Sequence, residues 1–507
     1  MWEGMIGGMM TGITTTLIPI NIGMVLFGCF AGSLIGMLPG LGPITAVALM
    51  IPVTYGLEPT TGMVLLAGVY YGATFGGSTS SILITAPGEA ATVATALDGY
   101  PLARQGYPGK ALAIAAYSSF SGGTIAVILL MFFAPMLASV ATSFQSADYF
   151  ALMILGLTAV SAFAGRGGVL KALLMVVLGL MLSTVGTDQT SGVQRYTFGS
   201  LELLDGIEFL LLAMATFALT EALMIVLKRD ASSDSLNPKM IGFKSLKVSM
   251  KEFKLITPSI LRSSLVGFFV GVLPGAGATL GSFMSYGMER NLAPPEEQKK
   301  FGKGSLRGLA APETGNNAAS SGSFVPLLTL GIPGSGTTAV MLGALIAYGI
   351  EPGPRMFVER PDVFWGVIMS MYLGNVFLLI LNLPLIPYFA RLLAIPRNLM
   401  VPIILFFSLM GVYLVTFNDF DIMMMVFFCI AAMAMRLMNF PMAPLLLGFI
   451  LGGLMEDNLR RSLMIYDESM SFMWERPITA TINCTTLFIL TLPLTRSIMA
   501  RVKKSKG

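Results

Sequence analysis

The chain has 507 residues, 55% of them apolar and only 11% charged, with a formal net charge of +4 and a mean hydropathy of +0.78. Soluble domains carry roughly 25% charged residues, so lipid is the main solvent of this chain, and no soluble domain of ordinary size fits between its apolar runs. The basic residues gather in short loops and the C-terminal tail, which reads as membrane topology and excludes a nucleic-acid surface.

Along the chain, the N-terminus has no basic stretch ahead of its apolar run and no small-residue cleavage site, as expected of mature protein. No Lys or Arg precedes Arg104, which places the N-terminus and the turn Leu57 to Thr60 outside the cytoplasm. Residues 17–56 read as a re-entrant hairpin dipping from outside, with the tip Gly36-Met-Leu-Pro-Gly-Leu-Gly-Pro43 at membrane depth. Residues 60–98 read as a broken crossing interrupted at Ile84-Thr-Ala-Pro-Gly-Glu-Ala-Ala-Thr92. Full crossings follow at 112–140, 147–164, 168–187 and 206–227. Lys228 to Lys254, with seven basic residues against three acidic ones, marks a cytoplasmic loop over 228–257. A second hairpin, 258–289, dips from inside with the tip Gly271-Val-Leu-Pro-Gly-Ala-Gly277, and a second broken crossing, 308–350, is interrupted at Gly331-Ile-Pro-Gly-Ser-Gly-Thr-Thr338. Further crossings are predicted at 364–388, 399–417, 422–439, 441–455 and 479–497. Glu456 to Arg476 is too charged to span and is expected on the outer surface. Arg166 to Lys171, Arg290 to Arg307, Arg391 to Arg397 and the tail Arg496 to Lys506 fall inside, while Asp188 to Asp205 and Asn418 to Asp421 fall outside.

The expected fold is an all-α integral membrane protein with about 11 crossings plus two re-entrant hairpins. The interruptions come in two pairs. Pro39 and Pro274 are 235 positions apart and Pro87 and Pro333 are 246 apart, so an internal repeat relates a first half, 1–227, to a second, 258–507. The loop charges give these repeats inverted topology with discontinuous helices, and a cytoplasmic C-terminus.

In hydrocarbon every peptide N–H and C=O must find a partner, so a non-helical break survives only where protein or a watery cavity surrounds it. Pro removes a donor and Gly lets the chain fold sharply, and together they free backbone groups for a ligand. Discontinuous helices meeting near the midplane across inverted repeats are the usual construction of a secondary-transporter site. Each broken helix carries a hydroxyl-rich run just before its break, suited to carboxylate oxygens or a cation, and half-helix N-termini add positive partial charge. The candidate solute-binding residues are therefore Pro39, Gly40, Ser78, Thr79, Ser80, Ser81, Pro87 and Gly88 in the first half. In the second half they are Pro274, Gly275, Asn316, Asn317, Ser320, Ser321, Pro333, Gly334, Ser335 and Thr337. Glu89, Thr92, Glu313 and Thr338 are candidates for the coupling cation, Na⁺ or H⁺, at the same breaks. Glu89 can equally cap the helix that follows it, and any single Ser or Thr here can simply bond its own helix. Glu221 and Lys228 read as anchors at a cytoplasmic helix end.

The absence of histidine removes Ser-His and Cys-His catalysis, histidine metal sites and histidine proton relays. Cys29, Cys429 and Cys484 lack metal-type spacing and read as small buried hydrophobes. Phosphate-loop readings fail for want of the Lys-Ser/Thr ending and its strand-loop-helix setting. An enzyme would have to use a carboxylate pair or a dyad such as Lys110 with the serines of Ser78 to Ser81. A passive channel is the third reading.

The run Gly36 to Pro43, Tyr71-Gly-Ala-Thr-Phe-Gly-Gly-Ser-Thr-Ser-Ser-Ile-Leu83, Pro87-Gly-Glu89, Asp98-Gly-Tyr-Pro-Leu-Ala-Arg-Gln-Gly106 and Pro312-Glu-Thr-Gly-Asn-Asn-Ala318 closely resembles the large permease subunit of tripartite tricarboxylate transporters, the TctA type. The resemblance covers nearly the whole chain. It implies a multi-pass carrier of the bacterial inner membrane, not an enzyme, that works with a small membrane subunit (TctB type) and a periplasmic solute-binding protein (TctC type). It further implies import of a di- or tricarboxylate, citrate being the namesake, driven by a Na⁺ or H⁺ gradient without other cofactors. By analogy with other binding-protein-dependent carriers, an elevator-like movement of the hairpin-containing core is expected.

Overall fold

The computed structural model describes residues 2–38, 40–84, 88–141, 143–162, 168–188, 190–227, 243–275, 277–388 and 397–505. Pro39 and Pro87, Arg166, the loop 228–242, most of the segment Arg391 to Arg397, and Lys506 lie outside the described residues. The first half contains α1 (Trp2–Thr16), α2 (Pro19–Met37), α3 (Pro43–Thr54), α4 (Pro59–Ile84), α5 (Val93–Arg104), α6 (Pro108–Ala141), α7 (Ser146–Ala162), α8 (Gly168–Ser183) and α9 (Phe209–Leu227), the last with a π-helical stretch over Met214–Leu219. The second half contains α10 (Met250–Val272), α11 (Gly277–Leu292), α12 (Leu306–Gly322), α13 (Phe324–Leu330), α14 (Gly336–Ala347), α15 (Pro361–Asn382), α16 (Arg397–Thr416), α17 (Asp419–Leu437), α18 (Ala443–Ile465) and α19 (Pro477–Ser505). The strand pairing among described residues is confined to Gly186–Thr187 against Gln194–Arg195. Helices α2, α6, α9, α10, α15 and α17 are each long and apolar enough to cross a membrane, so the chain is an all-α membrane protein.

The two halves are built on the same contact, made by glycine. On α2, Gly28, Gly32 and Gly36 recur every four residues and face α4, where Gly68, Gly72 and Gly76 do the same. A methyl built on Gly32 or Gly36 would overlap the carbonyl of Val69 or Ala73, and one on Gly68 would lie 2.9 Å from the Val25 carbonyl. The backbones therefore approach as closely as membrane helices can, with small residues in place of a hydrophobic driving force. The second half repeats two of these contacts at equivalent positions: Gly267 lies against the Gly315 carbonyl and Gly271 against that of Ala319. These contacts carry the offsets of 235 and 246 found in the sequence. Beyond them, Gly88 sits under the Gly36 carbonyl as Gly334 sits under that of Gly271.

Each of α2–α3 and α10–α11 turns back to the side it came from. Thr61, at the start of α4, donates to Asn21 Oδ1 near the start of α2 at 2.7 Å, and the Thr54 carbonyl at the end of α3 accepts from Tyr348 nearby. In the second half Glu289, near the end of α11, accepts from Ser259 at 2.7 Å and pairs with Arg262 of α10 at 2.8 Å and with Arg307 of α12 at 3.4 Å. Equivalent hairpins open to opposite ends of the molecule. One end gathers Tyr348, Arg360, Asp362 and Thr60, joined by a 2.9 Å bond from Thr60 to Asp362. The other gathers Lys110, Glu252, Asp98, Gly304 and Ser305, through bonds of 2.6 to 2.9 Å.

Several boundaries depart from expectation for local reasons. Ser249 and Glu252 form a reciprocal capping box that starts α10 at Met250, so the second hairpin spans 250–292 rather than 258–289. Helix α1, not foreseen as an element, packs through Gly8 and Gly12 onto Trp365 of α15. Helix α18 continues through the charged stretch from Glu456 to Ile465, where its half-buried charges are partnered: Arg460 with Asp188 at 2.8 Å and with Glu456 at 2.6 Å, and Arg195 with Glu456 at 2.9 Å. The Arg460 hydrogen bond, contributing most, and those of Ser191 and the Thr190 amide hold the Asp188 carboxyl well below the usual carboxylate range. Cys29 and Cys429 are buried, whereas Cys484 is exposed.

The glycine contacts predict a contrast. Gly36→Ala drives a methyl into the Ala73 carbonyl, while Gly23→Ala on the same helix meets nothing within 4 Å. The first is expected to lower stability by about 1–3 kcal/mol and the second to leave the melting temperature in detergent unchanged. Sidedness is tested by thiol labelling in a background lacking native cysteines. Tyr107→Cys is expected to label from the cytoplasm and Val358→Cys from the periplasm; the same sidedness for both would contradict inverted repeats.

Candidate functional site

The centre of the molecule is where α4 of the first half lies against α12, α13 and α14 of the second. Tyr70 and Tyr71 stack on each other and on Phe324, with ring centroids 5.9 to 6.2 Å apart. Tyr71 donates to Ser321 Oγ at 3.0 Å and the Tyr70 hydroxyl lies 3.4 Å from Ser335 Oγ. One turn-pair further along the antiparallel helices, Ser78 reaches Glu313. The aromatic stack thus ties α4 of the first half to both the hydroxyl run and the break of the second.

The two breaks share an extended residue ahead of the following helix, Glu89 and Ser335, and differ in chemistry. At the second, Gly331 ends α13 in the left-handed region, with φ +68°, and the chain crosses Ile332 to Gly334 before α14 begins. Ser335 caps α14 in a reciprocal box: its Oγ accepts from the Thr338 amide at 3.2 Å and its own amide donates to Thr338 Oγ1 at 2.8 Å. At the first break Glu89 holds the position of Ser335 and Thr92 that of Thr338, but Glu89 makes no cap with its side chain. Thr92 donates to the Glu89 carbonyl at 3.0 Å and accepts from Ser81 at 2.8 Å, while Glu89 Oε1 is buried with no partner among the described residues. Capping does not explain Glu89.

Both tips close on their own breaks. Gly40 and Gly275 occupy the left-handed region at φ +88° and +79°, which Gly alone adopts freely. The Gly275 amide donates to the Gly334 carbonyl at 3.0 Å, and Cβ positions on Gly42 and Gly277 would lie 3.3 and 3.6 Å from the Cβ atoms of Glu89 and Ser335. The far arms cross between halves: Ser282 of α11 donates to the Ala91 carbonyl at 2.7 Å, and Ile44 of α3 abuts Gly336 of α14. Each break is thus enclosed by one tip from its own half and one arm from the other.

Glu313 lies fully buried on α12. Its Oε2 accepts from Ser78 of α4 at 2.7 Å and from Ser119 of α6 at 2.9 Å, and its Oε1 accepts from Thr95 of α5. A small cavity of about 10 Å³ adjoins it, bordered by Phe75, Ser78, Thr79, Ser119, Asn382 and Ile386. Asn317 Nδ2 donates to the Glu313 carbonyl at 3.0 Å and to Asn316 Oδ1 at 2.8 Å, leaving Asn317 Oδ1 and Asn316 Nδ2 buried without partners.

Of the residues picked from the sequence, Ser78 and Glu313 meet directly, as do Ser81 with Thr92 and Ser335 with Thr338. Ser80 and Ser320 instead bond the carbonyls of Gly77 and Asn316 on their own helices at 3.0 Å, and Ser321 bonds that of Asn317 while receiving Tyr71. Thr337 is buried in the first turn of α14, and Pro274 and Pro333 lie in the described tip and break. Glu221 departs from its reading as a surface anchor. It is buried, pairs with Arg436 of α17 at 2.6 Å and touches tip 1, where a Cβ on Gly40 would lie 2.7 Å from its Oε1. Lys110 pairs with Glu252 at 2.6 Å, so it forms no dyad with the serines of α4. Tyr70, Thr95, Ser119, Asn382 and Arg436 went unread in the sequence, where an isolated hydroxyl or amide in an apolar helix looks like backbone bonding.

The Glu313 contacts predict strong coupling. Ser119→Ala removes a donor from a buried carboxyl and is expected to cost about 1–3 kcal/mol, whereas in a Glu313→Gln background the same change costs less. Thermal unfolding of the four proteins gives the cycle, and additive effects would contradict the geometry.

The sequence profile of the tripartite tricarboxylate transporter TctA family matches residues 22–447. A relative from Agrobacterium vitis described as an uncharacterized 52.8 kDa protein in the TAR-I ttuC' 3' region is 42% identical over 500 residues, covering 99% of this chain and 98% of that protein. A second, described as an uncharacterized protein in the TAR-II ttuC' 3' region of the same organism, is 41% identical over 235 residues, covering 46% of this chain and 96% of that protein. No solved structure matches the chain. The profile match over most of the length, with the hairpin tips and both breaks inside it, establishes that the chain belongs to the tripartite tricarboxylate transporter TctA family.

Proposed function

We propose that this chain is the large permease subunit of a binding-protein-dependent secondary transporter of the bacterial inner membrane. It imports a small di- or tricarboxylate, coupled to a Na⁺ or H⁺ gradient, with a small membrane subunit and a periplasmic binding protein as partners. The observation that carries this reading is the enclosure of two helix breaks by two hairpin tips at the molecular centre. In a membrane, such freed peptide groups need a hydrophilic occupant or protein around them. The α14 N-terminus offers amides and a favourable dipole to a carboxylate, the Ser335 hydroxyl and the orphan amide of Asn316 add donors, and the tips supply carbonyls for a cation. Glu89, uncapped and unpartnered at the opposite break, is the proposed cation ligand there, with Thr92 beside it. Thr338 holds the matching position in the second half. The basic end around Lys110 and Glu252 faces the cytoplasm in this reading, as does the C-terminus. The hairpins and broken helices move together as an elevator-like core, held as one body by the Tyr70, Tyr71 and Phe324 stack.

Proteoliposomes containing the chain and its two partners are expected to accumulate a labelled carboxylate under an inward sodium or proton gradient. No accumulation under either gradient would overturn the proposal. Asn316→Ala and Ser335→Ala are expected to reduce uptake per folded molecule by about tenfold, equivalent to about 1.4 kcal/mol of lost binding. Unchanged uptake would make both residues packing.

A further inference from the structure

The geometry points to Glu313 as a proton-carrying carboxyl: a single, fully enclosed site that takes up and releases one proton beside the path of the solute. This deepens the proposed transport reading and rests on it for its biological role, but not for its chemistry.

The case begins with how this molecule treats its other buried carboxylates. Glu289 has Arg262 and Arg307, Asp148 has Arg476 at 2.8 Å, Glu221 has Arg436 and Asp188 has Arg460. Asp98, without a cation, accepts from the amides of Gly304 and Ser305 at 2.9 and 2.7 Å and from Tyr286 at 3.0 Å. Glu313 has neither an arginine nor a backbone amide; its three partners are the hydroxyls of Ser78, Thr95 and Ser119. A charged carboxylate held without a counter-charge at zero exposure is expensive, and a proton removes the charge. A hydroxyl is the one neutral partner that serves both states, donating to the carboxylate or turning to accept from the acid.

No charge elsewhere on the packed helices competes for it. On α6, Lys110 is paired with Glu252, while Arg262 of α10 and Arg307 of α12 are both on Glu289. On α5, Asp98 is engaged with Tyr286 of α11 and with loop amides and Arg104, in the last turn, lies over the Tyr100 ring, while α4 brings only Tyr70 and Tyr71, bound toward Ser335 and Ser321. Helix α15 contributes Asn382 to the neighbouring cavity. Glu89, before α5, likewise has no cation partner among the described residues, and its Oε1 is buried without a hydrogen bond.

The cavity beside Glu313 measures about 10 Å³, the room of one water and not of a hydrated ion, and no group of three or more carboxylates or cysteines surrounds a common point among the described residues. The cavity borders Leu112, Ala115, Ala116 and Ser119 on one face of α6, so its α6 wall lies on the side of Glu313 toward the Pro108 start of that helix. A hydronium reaching that cavity gives its proton to a carboxylate oxygen and leaves as water, and the reverse step releases it. The site has no twin: Ala67 holds the position of Glu313 in the first half, 246 residues earlier, which makes this one proton per chain.

The test is infrared difference spectroscopy of the purified full chain in lipid during a pH titration, without any solute. The expected result is a carboxylic-acid C=O band that comes and goes with pH in the wild type, is missing in Glu313→Gln and shifts in frequency in Thr95→Val, which loses the bond at Oε1. The Thr95→Val shift carries the assignment if Glu313→Gln does not fold. No such band, or the same band in Glu313→Gln, overturns the inference. So does a band abolished by sodium at constant pH together with thermal stabilisation by sodium that Glu313→Gln lacks, which would make this a sodium site. Proteoliposome uptake separates the two readings: a titrating Glu313 band without carboxylate accumulation sinks the transport function alone, and accumulation without the band sinks the proton site alone.

Discussion

The architecture rests on backbone brought against backbone. Glycines spaced four apart on α2 and α4, and their counterparts on α10 and α12, remove the side chains that would hold two helices apart. Only at that separation do the Gly36 and Gly271 carbonyls reach Gly88 and Gly334, so that each hairpin tip arrives at a helix break. Lipid supplies no hydrophobic force between helices, and the association depends on close van der Waals fit and on the interhelical bonds that fit allows. The breaks are tolerable because the tips and the crossing arms cover them.

This arrangement explains why the repeat was legible in the sequence. Pro-Gly pairs and four-residue glycine spacing are dictated by local backbone geometry, so they survive as patterns at fixed offsets, and the contacts in the folded chain fall at those same offsets. Chemistry built from distant residues was not legible. Glu313 drew attention as a carboxyl among apolar residues, but Thr95 and Ser119 lie 218 and 194 positions away, and nothing in their own neighbourhoods marks them. The burial of Glu221 against Arg436 was hidden for a similar reason, since a charge near a helix end looks like an interface anchor until its partner is known.

The hydroxyl runs divide between two roles once the packing is known. Ser80 and Ser320 satisfy themselves on their own helices and allow close approach, the ordinary behaviour of serine in a membrane. Ser78, Ser119 and Thr95 turn away from their own helices, or share themselves, to reach a carboxyl. Sequence alone cannot sort these cases, because the residue type is the same and the neighbour that decides lies on another helix.

The equivalence of the two breaks ends at one side chain. Where the second half has a serine that closes its own helix, the first has a glutamate whose oxygen is left over, and the buried acid on α12 has an alanine as its counterpart. In the transport reading proposed above, a duplicated scaffold with mirrored halves would give its two end states equal energy, whichever side the solute faced. Acids placed in one copy of each pair would remove that degeneracy and bias the resting orientation of such a carrier.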